Sequence, residues 1–192
     1  MLLNQQNCCS TGASLKAAFD ISKDHFIGSA NASVEIVEYA DFQCPYSGEL
    51  YSVIKLLQQR MGNQIRLIFR HFPLPAFHSL ALEAAVAAEA ASLQGKFWPM
   101  HDAIFENQRF LVKSSFARFA EKINMDTTLF EDGREYKRIL RKVLNDFESG
   151  LKSGVDGTPT LFINGGRYSG FLDAPTLYRT CQNIMSVHTT PV

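Results

Sequence analysis

A surplus of charge of either sign is missing from this chain of 192 residues. Nineteen lysines and arginines balance nineteen aspartates and glutamates, which gives a formal charge of zero and a sequence pI near 7.0. Without a basic excess, nothing argues for nucleic acid or an anionic membrane surface as a partner. Long apolar runs are missing too, since none reaches the roughly 18 residues that span a bilayer. The opening Met1-Leu2-Leu3-Asn4-Gln5-Gln6-Asn7 has neither the basic start nor the apolar stretch of a secretory signal. The chain is therefore expected in the cytoplasm, or in the periplasm if a leader has been removed. Cysteine is scarce: four residues make no disulfide scaffold, and their spacings suit no zinc site, so no metal is expected. Adjacent Cys8 and Cys9 are too strained to pair with each other and read as free thiols on an N-terminal arm. Cys181 shares an apolar helix face with Leu177 and Ile184 and reads as core. Internal repeats and low-complexity linkers are also absent.

What is present is ordinary globular composition, 46% hydrophobic and 20% charged, in a length that suits one domain or one domain with an insertion. One stretch organises it, from Val34 to Ser47. Val34, Ile36, Val37 and Tyr39 are β-branched or aromatic and predict a strand. Cys44 then stands at an N-cap position. Pro45 follows at the first helical position, where its fixed φ is already helical and its missing N–H is not needed. Leu50, Val53, Ile54, Leu57 and Met61 recur at helical spacing, and Gly62 is placed to stop the run. A cysteine between a buried strand and a helix N-terminus meets free backbone N–H groups and the positive end of the helix dipole. Both favour thiolate over thiol, which makes Cys44 a candidate nucleophile. Three residues on, where a second cysteine would complete a Cys-x-x-Cys pair, stands Ser47. Its hydroxyl suits a hydrogen bond to a thiolate but cannot form a disulfide.

Along the chain, residues 1–27 read as an arm or irregular helix, and His25 to Ser33 as a loop. Ile65 to Phe72 alternates apolar and basic residues and predicts a strand, ended by Pro73 and Pro75, so that strand, helix and strand form a parallel βαβ unit. Helices follow over Leu80–Leu93, around Phe97–Phe105, and around Phe116–Ile123. A fourth, capped at Asp126, carries an apolar face that includes Tyr136, Ile139, Val143, Leu144 and Leu151. The strand signal returns at Thr160–Ile163, with Asn164-Gly165 as a hairpin turn, and Asp173 caps a last helix through Met185. Ser186 onward reads as a tail.

This order resembles the DsbA-like branch of the thioredoxin-fold thiol–disulfide oxidoreductases. The resemblance is carried by Asp41-Phe42-Gln43-Cys44-Pro45-Tyr46, by Phe72-Pro73-Leu74, by Gly95-Lys96-Phe97-Trp98-Pro99-Met100-His101-Asp102 and by Gly154 through Gly165. It implies an α/β, thioredoxin-like fold with an inserted helical subdomain. Residues 28–78 and 154–186 form the thioredoxin-like domain, and residues 79–153 the insertion. It implies that Pro159 is cis and packs beside Cys44. It also implies that Pro45, Tyr46, Thr158 and Pro159 form the surface for a substrate peptide, held partly by backbone pairing at Thr158. Glu38 resembles the acidic residue that some relatives place beneath the site for proton transfer, and reads equally as a half-exposed strand carboxylate. His71, His78 and His101 read as surface or packing histidines.

With Ser47 in place of a second cysteine, a mixed disulfide at Cys44 needs an outside thiol for its release. Glutathione as co-substrate, a second substrate thiol, or Cys8 or Cys9 from the arm are the sources. The expectation is a monothiol oxidoreductase or isomerase acting on protein or peptide thiols, with no bound cofactor. A redox-inactive peptide-binding or chaperone module and a glutathione-dependent transferase or peroxidase are the alternatives.

Overall fold

The computed structural model describes residues 9–126 and 133–188. Six strands and six α-helices are present among them: β1 (Cys9–Ser14), β2 (His25–Gly28), β3 (Val34–Ala40), α1 (Pro45–Met61), β4 (Ile65–His71), α2 (Ala81–Ser92), α3 (Phe97–Glu106), α4 (Ser115–Lys122), α5 (Gly133–Lys152), β5 (Thr160–Ile163), β6 (Gly166–Tyr168) and α6 (Ala174–His188). The strands form one mixed sheet in the order β1-β6-β5-β3-β4-β2. Only β3 and β4 run parallel, with Glu38 opposite Phe69 and Tyr39 opposite Arg70. These two central strands are covered on both faces, so that all but one residue of each is buried even though β3 carries two glutamates and β4 two arginines and a histidine.

On one face, α1 and α6 bring Leu50, Ile54, Leu57, Leu177 and Cys181 against Ile36 and Ile163. On the other, Tyr39, Ile68, Phe72 and Phe162 pack with Phe147 of α5. The Phe72 and Phe147 rings stack with centroids 4.4 Å apart. A third core, built from the alanine face of α2 and the aromatic residues of α3, is continuous with Ala40, Phe42 and Phe69 at the C-terminal ends of the strands. These helices are thus fused to the sheet at the end where Cys44 lies. Asn164 and Gly165 both adopt positive φ, 46° and 81°, which makes the two-residue turn joining β5 to β6. Asp173 Oδ1 accepts the Thr176 N–H and starts α6 as expected.

Four expectations need correction. The arm contains β1, which pairs with β6 at one edge of the sheet, and the segment taken as a loop begins with β2, which pairs with β4 at the other edge. Both strands are short and lack clear alternation; partners far along the chain form them. The fourth helix buries a narrower stripe than its apolar residues suggest. Ile139, Val143, Asp146 and Gly150 face inward, while Tyr136, Leu144 and Leu151 are exposed. The start expected after Asp126 lies outside the described residues. Finally, α6 continues beyond Met185 to His188.

Candidate active site

Asp41 builds the turn between β3 and α1. Its Oδ1 accepts the Gln43 N–H at 2.8 Å, and its main-chain oxygen accepts the Cys44 N–H at 3.1 Å. The buried Oδ2 accepts the Leu74 N–H at 2.9 Å and lies 2.8 Å from His78 Nδ1. The loop after β4 is thereby tied to the cysteine turn, and Gln43 Oε1 adds a bond from the Leu80 N–H. From the opposite side comes Gln108, on the short helical turn between α3 and α4. Its Nε2 donates to the carbonyls of Phe42 at 2.8 Å and of Cys44 at 2.9 Å. The fit is close: a Cβ added at Gly48 would lie 2.3 Å from Gln108 Oε1.

Held this way, Cys44 is the N-cap residue of α1, in extended backbone, with Pro45 opening the helix. It is only 5% exposed, and its thiol donates to the carbonyl of Thr158 at 3.1 Å. The Thr158–Pro159 peptide bond is cis. Two residues more than a hundred positions apart thus meet at one point. Pro45 and Tyr46 lie exposed beside it, Tyr46 at 68%, while Thr158 and Pro159 are half-buried.

Ser47 departs from expectation. It is fully buried, and its Oγ has no hydrogen-bond partner, Cys44 included. Glu38 is buried rather than half-exposed, which excludes the strand-surface alternative. Its Oε1 has no partner, and burial pushes its carboxyl up to about 8. With Gln58, Lys55, Tyr51 and His101 it lines a void of about 10 Å³, the size of one water.

The three histidines each meet a carboxylate: His71 meets Glu89 at 2.9 Å, His78 meets Asp41, and His101 meets Asp102 at 2.9 Å. None of these bonds involves Cys44. Burial pushes the Cys181 thiol up to about 11, so it is inert core as expected. Cys8 lies outside the described residues, and Cys9 begins β1 opposite Tyr168. Asp41 and Gln108 went unassigned in the sequence. Asp41 carried a readable signal, an Asx-forming residue two positions before a backbone N–H in a turn. Gln108, in a separate part of the chain, carried none.

A sequence model of the family described as Thioredoxin matches residues 20–182. Among curated proteins, the Na(+)/H(+) antiporter NhaA 3 of Salinispora tropica is 38% identical over 156 residues, which cover 81% of this chain and 24% of that protein. NhaA 1 of Mycolicibacterium gilvum is 36% identical over 173 residues, 89% of this chain and 28% of that protein. The chain spans about a quarter of the length of the curated relatives it matches. Among solved structures, α-DsbA1 of Wolbachia pipientis superposes with a TM-score of 0.77 at 19% identity, covering 88% of this chain and 94% of that one. The thiol-disulfide exchange protein α-DsbA2 of the same organism gives a TM-score of 0.74 at 24% identity, covering 86% and 88%.

Proposed function

We propose, for a chain that belongs to the thioredoxin family, the activity of a thiol–disulfide oxidoreductase that works through Cys44 alone. The observation that carries this reading is the placement of Cys44. It stands at the N-terminus of α1 with its sulfur against Thr158, and a serine occupies the third helical position. The Cys44 thiolate attacks one sulfur of a protein disulfide, a mixed disulfide forms, and the other sulfur leaves as a thiol. An external thiol, glutathione or a second substrate cysteine, then attacks the mixed disulfide. A substrate cysteine that attacks the substrate sulfur returns Cys44 and leaves a rearranged disulfide, which is isomerisation. For reduction, one glutathione attacks the Cys44 sulfur and releases the substrate thiol, and a second glutathione frees Cys44 and leaves as oxidised glutathione. The main chain at Thr158 pairs with the substrate backbone, and Pro45 and Tyr46 offer exposed surface beside it. Glu38, protonated below about pH 8 and buried between β3 and α1, serves as the proton store. Use of glutathione fits a cytoplasmic setting; a periplasmic one would call for a different reductant. Among the described residues no helix is long and apolar enough to cross a membrane.

Intact mass spectrometry after incubation with oxidised glutathione, with peptide mapping of the adduct, tests the reading. Wild type gains one glutathione on Cys44, reduced glutathione removes it, and Cys44→Ser gains none at that position. An unmodified Cys44 in protein that still binds unfolded peptides would instead favour a redox-silent binding module. An adduct that forms only with electrophiles or peroxides would favour the transferase or peroxidase chemistry.

A further inference from the structure

We propose that the outer face of α5 is a self-association surface, through which two copies of this chain pair their α5 helices antiparallel about a two-fold axis at Leu144. Packing against the rest of the fold occupies one arc of this helix, the one carrying Ile139, Val143, Asp146 and Gly150. A second apolar arc runs beside it. Tyr136, Leu140, Leu144, Phe147 and Leu151 follow one another at steps of four, four, three and four residues, the spacing of one helix face about 22 Å long. Leu140 and Phe147 are half-buried, while Tyr136, Leu144 and Leu151 stand 50%, 46% and 54% exposed. Single apolar residues scattered over a surface need no partner, whereas a continuous apolar stripe marks an interaction site.

The stripe is its own complement. Leu144 stands at its middle, with Leu140 and Phe147 four and three residues away and Tyr136 and Leu151 eight and seven away. Turned antiparallel about an axis at Leu144, the helix sets Leu144 against Leu144 of the second copy. Leu140 then meets Phe147 of that copy, and Tyr136 meets its Leu151. The charges follow the same symmetry. Arg141 and Glu148 are exposed and flank the stripe on its solvent edge, within about 20° of each other around the helix. They stand three and four residues from Leu144, in opposite directions along the helix. The pairing therefore brings Arg141 of each copy to Glu148 of the other. Among the described residues of one copy, Glu148 meets only Lys152, at 3.7 Å with both side chains mostly exposed.

A lipid surface fits this face less well. Two of the five apolar side chains are half-buried at the edge of the protein's own core, which leaves a shallow ridge rather than a face that sinks into a headgroup layer. A carboxylate, Glu148, also stands on the flank that anionic headgroups would meet. The stripe contains none of the residues that build the Cys44 site, so variants on it leave that chemistry untouched.

Sedimentation equilibrium of the full chain over a wide range of concentration, with a thiol reductant present to exclude disulfide-linked species, tests the pairing. Wild type shows a monomer–dimer equilibrium. Leu144→Glu, which sets two carboxylates face to face at the axis, leaves only monomer. Arg141→Glu and Glu148→Arg each weaken the dimer severalfold, because each brings like charges together twice. The double variant recovers the wild-type affinity, because exchanging the two charges restores both pairs. Circular dichroism shows that the variants are folded, and Leu151→Lys replaces Leu144→Glu if that variant is not. A wild type that stays monomeric overturns the proposal, whether or not anionic vesicles bind the stripe. So does a dimer that survives Leu144→Glu, and so does a charge exchange that fails to restore the pairing.

Discussion

Ser47 occupies the position where a resolving thiol would stand, and it does so sealed from water with its hydroxyl unpaired. A buried hydroxyl without a partner costs about 1–3 kcal/mol, so Ser47→Ala is expected to leave thermal stability unchanged or raised. Ser47→Cys should go further and change the chemistry. The glutathione adduct of the wild type should give way to an internal disulfide between Cys44 and the introduced thiol, and insulin reduction by dithiothreitol should speed up. Equal rates for wild type and variant would mean that another thiol already resolves the adduct. Glu38 supports a second prediction at this scale. Its folded value of about 8 lies above the ordinary 4.5, so the native state holds this proton more tightly than the unfolded chain does. The stabilisation from that proton is complete below about pH 4.5 and is lost as pH rises toward 8, with a slope of up to roughly 1.4 kcal/mol per pH unit. Urea unfolding of wild type and Glu38→Gln across that range should diverge: the wild type declines with pH, and the variant loses this part of the decline.

Among the elements, the junction between the insertion and α1 is where the site is most exposed to perturbation. Gly48→Ala places a methyl group against the Gln108 amide and should push it off the carbonyls of Phe42 and Cys44. Because that amide is the far end of a flexible side chain, the stability cost should be modest, about 1 kcal/mol. Reaction of Cys44 with oxidised glutathione should slow more than the stability loss explains. Gln108→Ala should do the same, and the double variant should be no worse than either single one, because both remove the same bonds. The elements also show where the sequence was readable. The β3–α1–β4 unit, the Asn164-Gly165 turn and the helices α2, α3 and α4 rest on local chemistry and stand close to their expected positions. By contrast, β1 (Cys-Ser-Thr-Gly-Ala-Ser) has small polar residues, and β2 ends in a glycine. Their backbone pairing, with residues far along the chain, makes them strands. The same holds at the site. Cys44, Thr158 and Pro159 were legible because a motif order announces them. The tethers from Asp41, Gln108 and His78, and the burial of Glu38, depend on which surfaces meet.

For the molecule as a whole, the seam between α5 and the sheet ties the helices that follow β4 to the strands. A Cβ at Gly150 would lie 2.7 Å from the Phe72 ring and 3.0 Å from the Tyr39 ring, both inside the core. Gly150→Ala is therefore expected to cost about 1–3 kcal/mol, read as a lower urea midpoint, with reactivity of Cys44 in the remaining folded protein preserved. The placement of β1 and β2 reaches further still. Both outer strands of the sheet come from residues 9–28, one on each side, and the side carrying β1 closes against β6, which is made well over a hundred residues later. Lys16, just after β1, donates its N–H to Ser153 Oγ, 137 residues away. At about 5–20 residues per second of translation, that segment waits many seconds on the ribosome for its partners. Throughout that wait the nascent chain presents an unzipped margin to its neighbours, and it is the arrival of β6, rather than the making of β1, that lets this margin close on itself before it meets another copy.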